Sequence, residues 1–335
     1  MVSLAPGGAR LHGQPLTWLG AGIVIYAAVM LFAVLERPFG EDGFTAFMDI
    51  SPIAAEAFAA GLAAWAGWRS AGRIRLAWWF LAAGFASQAL ADTVWAVYEV
   101  GLHAEIPTPS LADPFYLAMI PLVFAGILLL SSAARMFGHL RTALDASILL
   151  FALAAVVWDK VIQPSLAGTE TGLAGTLVTS AYPAGDVVLV FAIVAAMRRQ
   201  WTGRARIVTS FLAVGLLTAS LADLGYAWMA LNGTYETGSF IDLGWPVGFL
   251  LMGFAAAMHA TWHASLAEEQ VEAELATAVW RQIVPMVLSA ALVVWLLARA
   301  WAGSKEATCP WWRSSWQPWA PPRCARQSCS WTTAR

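Results

Sequence analysis

Charge is what this chain has least of. Only 12% of its 335 residues are Asp, Glu, Lys or Arg, and the formal net charge is −2. A soluble globular domain carries roughly 25% charge. So weak a balance offers no field for a polyanion and excludes a nucleic-acid binder. Cysteine is scarce as well. Cys309, Cys324 and Cys329 are the three present, all in the last 27 residues, and their spacing fits neither a zinc site nor a redox C-x-x-C pair. No disulfide therefore holds the residues before them. The G-x-x-x-x-G-K-S/T, G-x-S-x-G and H-E-x-x-H patterns do not occur, so no catalytic or cofactor motif points to an enzyme. His259 and His263 share a helix face at i, i+4 but lack further ligands of suitable type. They read as two interfacial imidazoles rather than a metal centre.

What is abundant is apolar surface. Residues of the types Ala, Val, Ile, Leu, Met, Phe, Trp, Tyr and Cys make up 59% of the chain. That excludes a disordered chain and an ordinary cytosolic enzyme, and it leaves a polytopic membrane protein whose main partner is the lipid bilayer. A helix needs about 20 mostly apolar residues to cross the hydrocarbon core. Nine such runs are expected, at about 16–35, 50–68, 76–98, 114–134, 143–162, 181–197, 207–230, 243–262 and 283–301. The fold class expected is thus all-α: a transmembrane bundle of about nine helices.

The connections alternate in charge. Arg69, Arg73 and Arg75, then Arg135 and Arg141, then Arg198, Arg199, Arg204 and Arg206 make three short basic loops without an acid. Glu36, Glu41, Asp42 and Asp49, then Glu99, Glu105 and Asp113, then Asp159 and Glu170, then Glu236 and Asp242 make the acidic ones, with Arg37 and Lys160 as their only cations. Short basic loops are retained in the cytoplasm. The N-terminus is expected inside, in a bacterial cytoplasmic (inner) membrane, with the acidic loops outside.

The helices come in pairs that resemble one another. Leu90-Ala91-Asp92-Thr93-Val94-Trp95 parallels Leu221-Ala222-Asp223-Leu224-Gly225-Tyr226. The helix after each opens on S-x-x-D-x-x-aromatic: Ser110, Asp113 and Tyr116 in one case, Ser239, Asp242 and Trp245 in the other. A third pair keeps Trp158-Asp159 and Tyr182-Pro183, with Asp186 a turn further on, and Asp49-Ile50-Ser51-Pro52 is a degenerate fourth. Asp113 and Asp242 are expected to be helix N-caps, with Pro114 at the first helical position. Asp92 and Asp223 lie inside spans, where a carboxylate costs roughly 2.5–3.5 kcal/mol on insertion scales and must find a partner or a wet cavity. Two expectations stand side by side. Each Asp ties its helix to a neighbouring loop, or Asp92, Asp223, Asp186 and Asp242 line an outward cup walled by Trp95, Tyr226, Tyr182 and Trp245. Acid plus aromatic faces suit a small cationic or amphipathic ligand at the outer face.

Four regions are expected: an eight-helix bundle over 1–264, an acidic cytoplasmic linker helix over 265–281, a ninth span over 282–302 and an irregular tail over 303–335. The linker lies along the membrane surface or, with Leu266, Val271, Leu275 and Val279 at helical spacing, pairs with a second copy in a homodimer. The tail crowds Trp, Arg, Ser, Cys and Pro without period. It is expected to be either the frameshifted or truncated remnant of a chain that continued into a tenth span or a genuine disordered tail whose Trp and Arg residues rest on the membrane surface.

The runs Ala89–Trp95, Pro109–Tyr116, Ala181–Asp186 and Gly233–Ser239, with Asp242 and Trp245, resemble the multi-pass membrane region ahead of GGDEF and EAL domains in bacterial, especially actinobacterial, cyclic-di-GMP signalling proteins. The resemblance covers about residues 15–300. It implies a sensory input region. The sequence contains neither GGDEF nor EAL, so only the input role, and no catalysis, carries over. The function expected is a membrane sensor or anchor module. A small-molecule transporter and an orphan membrane scaffold are the alternatives.

Overall fold

A computed structural model describes residues 14–104, 106–131, 151–152, 154–159, 163, 172–197 and 203–272. Among these residues the chain is helical and forms no strand. Seven long helices follow in order: α1 (Gln14–Glu36), α2 (Gly40–Arg69), α3 (Gly72–Ala96), α4 (Asp113–Ser131), α5 (Gly172–Met197), α6 (Gly203–Leu231) and α7 (Gly244–Glu272). A π-turn over Val97–Gly101 extends α3, and a 3₁₀ turn over Phe240–Leu243 leads into α7. All seven are long and apolar enough to cross a membrane.

Six helices close a ring. α2 packs on α3, α3 on α4, α4 on α5, α5 on α6, α6 on α7, and α7 returns to α2. α1 stands outside the ring against α7, with the Tyr26 hydroxyl donating to the Ser51 carbonyl of α2 at 2.9 Å. The interior is built from small residues. Ala59, Ala63 and Ala66 on α2 and Ala255, Ala256 and Ala260 on α7 are fully buried, around Trp78, Leu81 and Phe85. In lipid, helices gain little from hiding apolar surface, so close backbone approach through small residues does the work of packing. Among the described glycines the closest approach of one backbone to another joins α6 to α7, where a Cβ on Gly215 would lie 2.5 Å from the Gly248 carbonyl oxygen. Large apolar side chains point the other way. Trp18, Val24, Ile25, Phe32, Trp68 and Leu221 are exposed, as a lipid-facing surface requires.

The two ends of the bundle differ in charge. Arg69, Arg73, Arg75, Arg204 and Arg206 flank the junctions at one end. There Arg69 meets His263 at 3.4 Å and Arg204 lies over the Trp262 ring at 5.7 Å. The opposite end holds the α1–α2 turn and the loops at 97–112 and 232–243, with their acids. Arg135, Arg141, Arg198 and Arg199 lie outside the described residues.

Several boundaries differ from expectation. α2 begins at Gly40 rather than near residue 50, so Glu41, Asp42 and Asp49 belong to the helix and not to a loop. Glu41 and Asp42 sit in its first turn, where acids complement the helix dipole, so acids there mark a helix start as readily as a loop. α5 begins at Gly172, which places Tyr182-Pro183 inside the helix rather than at its opening. α7 runs without a break to Glu272, through the first residues expected of the linker. The fifth run, at 143–162, is described only at 151–152 and 154–159, where it is helical; Val157 packs on Val187. The ninth run and the tail lie outside the described residues.

Candidate functional site

The acids of the loop-rich end turn inward. On α3, Asp92 accepts a hydrogen bond from the Tyr116 hydroxyl of α4 at 2.6 Å. On α6, Asp223 accepts one from the Trp245 indole N–H of α7 at 2.8 Å. The two bonds are equivalent in the sequence pattern. In each case the aromatic residue of S-x-x-D-x-x-aromatic donates to the intramembrane Asp of the helix before it. A partner on the next helix, and not a loop N–H, therefore meets each carboxylate.

The Ser and Asp of the same pattern close the loop. Ser239 and Asp242 form a reciprocal capping box, each side chain bonding the other's backbone. Ser110 and Asp113 behave alike: Asp113 accepts from the Ser110 N–H at 2.5 Å, and the Ser110 hydroxyl accepts from the Ala112 N–H at 3.2 Å. The expectation of Asp N-caps is corrected here. Ser239 is the cap of the 3₁₀ turn, with Asp242 reaching back from its third residue, and Asp113 is the first residue of α4, reaching back to the N–H of Ser110 in the loop before it. Asp242 also accepts from the Gly238 N–H at 2.6 Å and from the Tyr235 hydroxyl at 3.3 Å. Gly238 has φ of +88°, a backbone that favours glycine. Burial and the Asp242 carboxylate hold the Tyr235 phenol above its ordinary range, which keeps it a donor.

Aromatic rings link these groups. Tyr226 lies edge-on to Tyr235 at 4.7 Å and to Trp245 at 6.1 Å. Tyr182 of α5 lies edge-on to Tyr116 at 6.1 Å and donates its hydroxyl to Asp113. As Gly185 lies against Ile120, α4 and α5 advance in the same direction. Asp186, one turn beyond Tyr182, is 6% exposed and faces Asp223 and Ser220. Of the expected cup residues, Asp92, Asp186, Asp223, Asp242, Tyr182, Tyr226 and Trp245 thus converge. Trp95 does not join them directly. It donates to Glu99 on its own helix at 2.8 Å, and Glu99 in turn accepts from Thr237 at 3.2 Å.

The sequence reading missed Glu56. It sits seven residues after Asp49 on α2 and is 0% exposed, and neither carboxyl oxygen has a hydrogen-bond partner. Its strongest electrostatic neighbour is Asp92, followed by Asp223. An ionisable residue in an Ala-rich span was the available signal. Tyr116 was in the motif but not in the expected site, and Glu99 and Tyr235 lay in loop sequence that gave no sign of facing inward.

Every partner named for these carboxyl groups is a hydroxyl, an indole, a backbone N–H or another acid. Arg37, the cation of the α1–α2 turn, lies instead over the Phe44 ring at 5.0 Å. Among the described residues no group of three or more His, Cys, Asp or Glu is arranged to hold a metal ion. Fold and site together define a multi-pass membrane protein with an acidic and aromatic interior at one end. Protein-family models, curated proteins and solved structures give no match to this chain.

Proposed function

We propose that the chain is the membrane-embedded sensory or anchoring module of a signalling protein, without catalysis of its own, and that its acidic end receives a small organic cation. The observation that carries this is the inward acid set, above all Glu56, fully buried without a hydrogen-bond partner. Buried carboxylates facing one another repel unless one takes up a proton or positive charge enters among them, and an organic cation supplies that charge. The rings of Tyr226, Tyr235 and Trp245 supply the faces on which an ammonium group rests. The ligand shifts signalling output by preferring one packing of the helix pairs over another.

The arginines gathered at one end support a cytoplasmic position for it, an N-terminus inside and an inner-membrane location. The matched bonds of the α3–α4 and α6–α7 hairpins support assembly from repeated helix pairs. The common direction of α4 and α5 supports a further crossing between them, as the expected count of nine requires. The resemblance to input regions of cyclic-di-GMP proteins supplies the signalling role.

Intrinsic Trp and Tyr fluorescence of the purified chain, titrated with primary and quaternary amines, is expected to change saturably. Replacing both Asp92→Asn and Asp223→Asn is expected to abolish the change. A flat wild-type response, or an equal one in the double variant, overturns the site. Amine flux into proteoliposomes would make the chain a transporter instead.

A further inference from the structure

Beneath the aromatic wall lies a small hollow at the centre of the ring. Its polar lining is Asp186 on α5, Ser220 and Asp223 on α6 and Gln88 on α3, and apolar side chains complete it, among them Phe85 and Met252. It has room for about one water molecule. Ser220 is 2% exposed, and its hydroxyl lines this hollow beside Asp186 without reaching good hydrogen-bond geometry with any partner. Gln88 is likewise buried. The Ser220 hydroxyl, the Gln88 amide and the two facing carboxyl groups thus border one small space.

We propose that this hollow binds a dehydrated sodium ion, held by the carboxylates of Asp186 and Asp223, the Ser220 hydroxyl and the Gln88 amide oxygen. All four groups present oxygen donors, which suits a hard cation rather than a soft one. The space is too small for an ion that keeps its water. Magnesium surrenders its hydration shell reluctantly, and calcium takes six to eight oxygens, a number these four side chains reach only if both carboxylates bind through both oxygens. Sodium balances one of the two negative charges, and the Trp245 N–H donates to the Asp223 carboxylate. The ion sits between α3, α5 and α6, so its presence ties the two hairpins together below the amine site. The proposal rests on the acid set being a cation site but not on the sensory role, and its test uses sodium alone, so its failure is separate from failure of amine binding.

The test is equilibrium binding of ²²Na⁺ to the purified full chain in detergent, with choline chloride holding ionic strength constant. Saturable binding, displaced by unlabelled sodium and not by choline, is expected. Asp186→Asn is expected to abolish it, and Ser220→Ala to weaken it by about tenfold, with both variants checked for folding by circular dichroism and gel filtration. Should Asp186→Asn fail to fold, Ser220→Ala alone decides. Absence of saturable binding, or equal binding in Ser220→Ala, overturns the proposal. Melting temperatures that follow pH but not sodium would assign the hollow to a proton and overturn it equally.

Discussion

The α3–α4 and α6–α7 hairpins use one pattern in two ways. In both, an aromatic side chain three residues after the motif's Asp donates to an Asp on the preceding helix. In the first, that Asp faces Glu56, buried with no partner. In the second, it faces Asp186 across a hollow with a serine hydroxyl that lacks a well-aligned partner. A local motif thus fixes where a carboxylate sits. What the carboxylate does depends on the helix that arrives opposite: α2 brings an acid into packed surroundings, and α5 brings one beside open space.

The largest expected effect separates the hairpins at their helix contacts. A Cβ on Gly215 meets the Gly248 carbonyl oxygen at 2.5 Å, whereas one on Gly84 meets a Val123 methyl at 2.7 Å. Backbone yields less than a side-chain tip. Gly215→Ala is therefore expected to lower stability by about 1–3 kcal/mol and Gly84→Ala by clearly less, read as melting temperature in detergent. Equal losses would mean that the α6–α7 contact is looser than described.

Next come the matched donors. Tyr116→Phe and Trp245→Phe each leave a buried carboxylate without its donor, and each is expected to cost about 1–3 kcal/mol. A large loss in one and none in the other breaks the equivalence of the hairpins. A smaller effect of opposite sign is expected at Glu56. Glu56→Gln removes an acid that has no hydrogen-bond partner and faces Asp92, so the melting temperature is expected to rise, whereas Asp92→Asn lowers it. The smallest effect belongs to Ser220→Ala in sodium-free choline buffer. Its hydroxyl reaches good hydrogen-bond geometry with no partner, so a change under about 0.5 kcal/mol is expected.

Much of this was legible beforehand. Long apolar runs identified all seven described spans to within a few residues at one end or both, because hydrocarbon thickness imposes a length that composition reveals. The start of α2 was not legible, since Glu41 and Asp42 look the same in a loop and in a first helical turn. The motif exposed Asp92 and Asp223, but Tyr116 and Trp245 emerged as their donors only once adjacent helices were packed. Glu56 differed again. An acid deep in the alanine-rich part of a helix says that a partner is needed and not which one, because the answer lies on α3 and α6, far away in sequence.

The most direct measurement compares three acids of a single helix. Glu56 is fully buried, while Glu41 and Asp42 on the same α2 are exposed. Labelling of the membrane-bound chain with an apolar carbodiimide and with a water-soluble one, mapped by mass spectrometry, distinguishes them. The apolar reagent is expected to modify Glu56 and the water-soluble one only Glu41 and Asp42. Modification of Glu56 by the water-soluble reagent at the rate of Glu41 would contradict an inward-turned acidic interior.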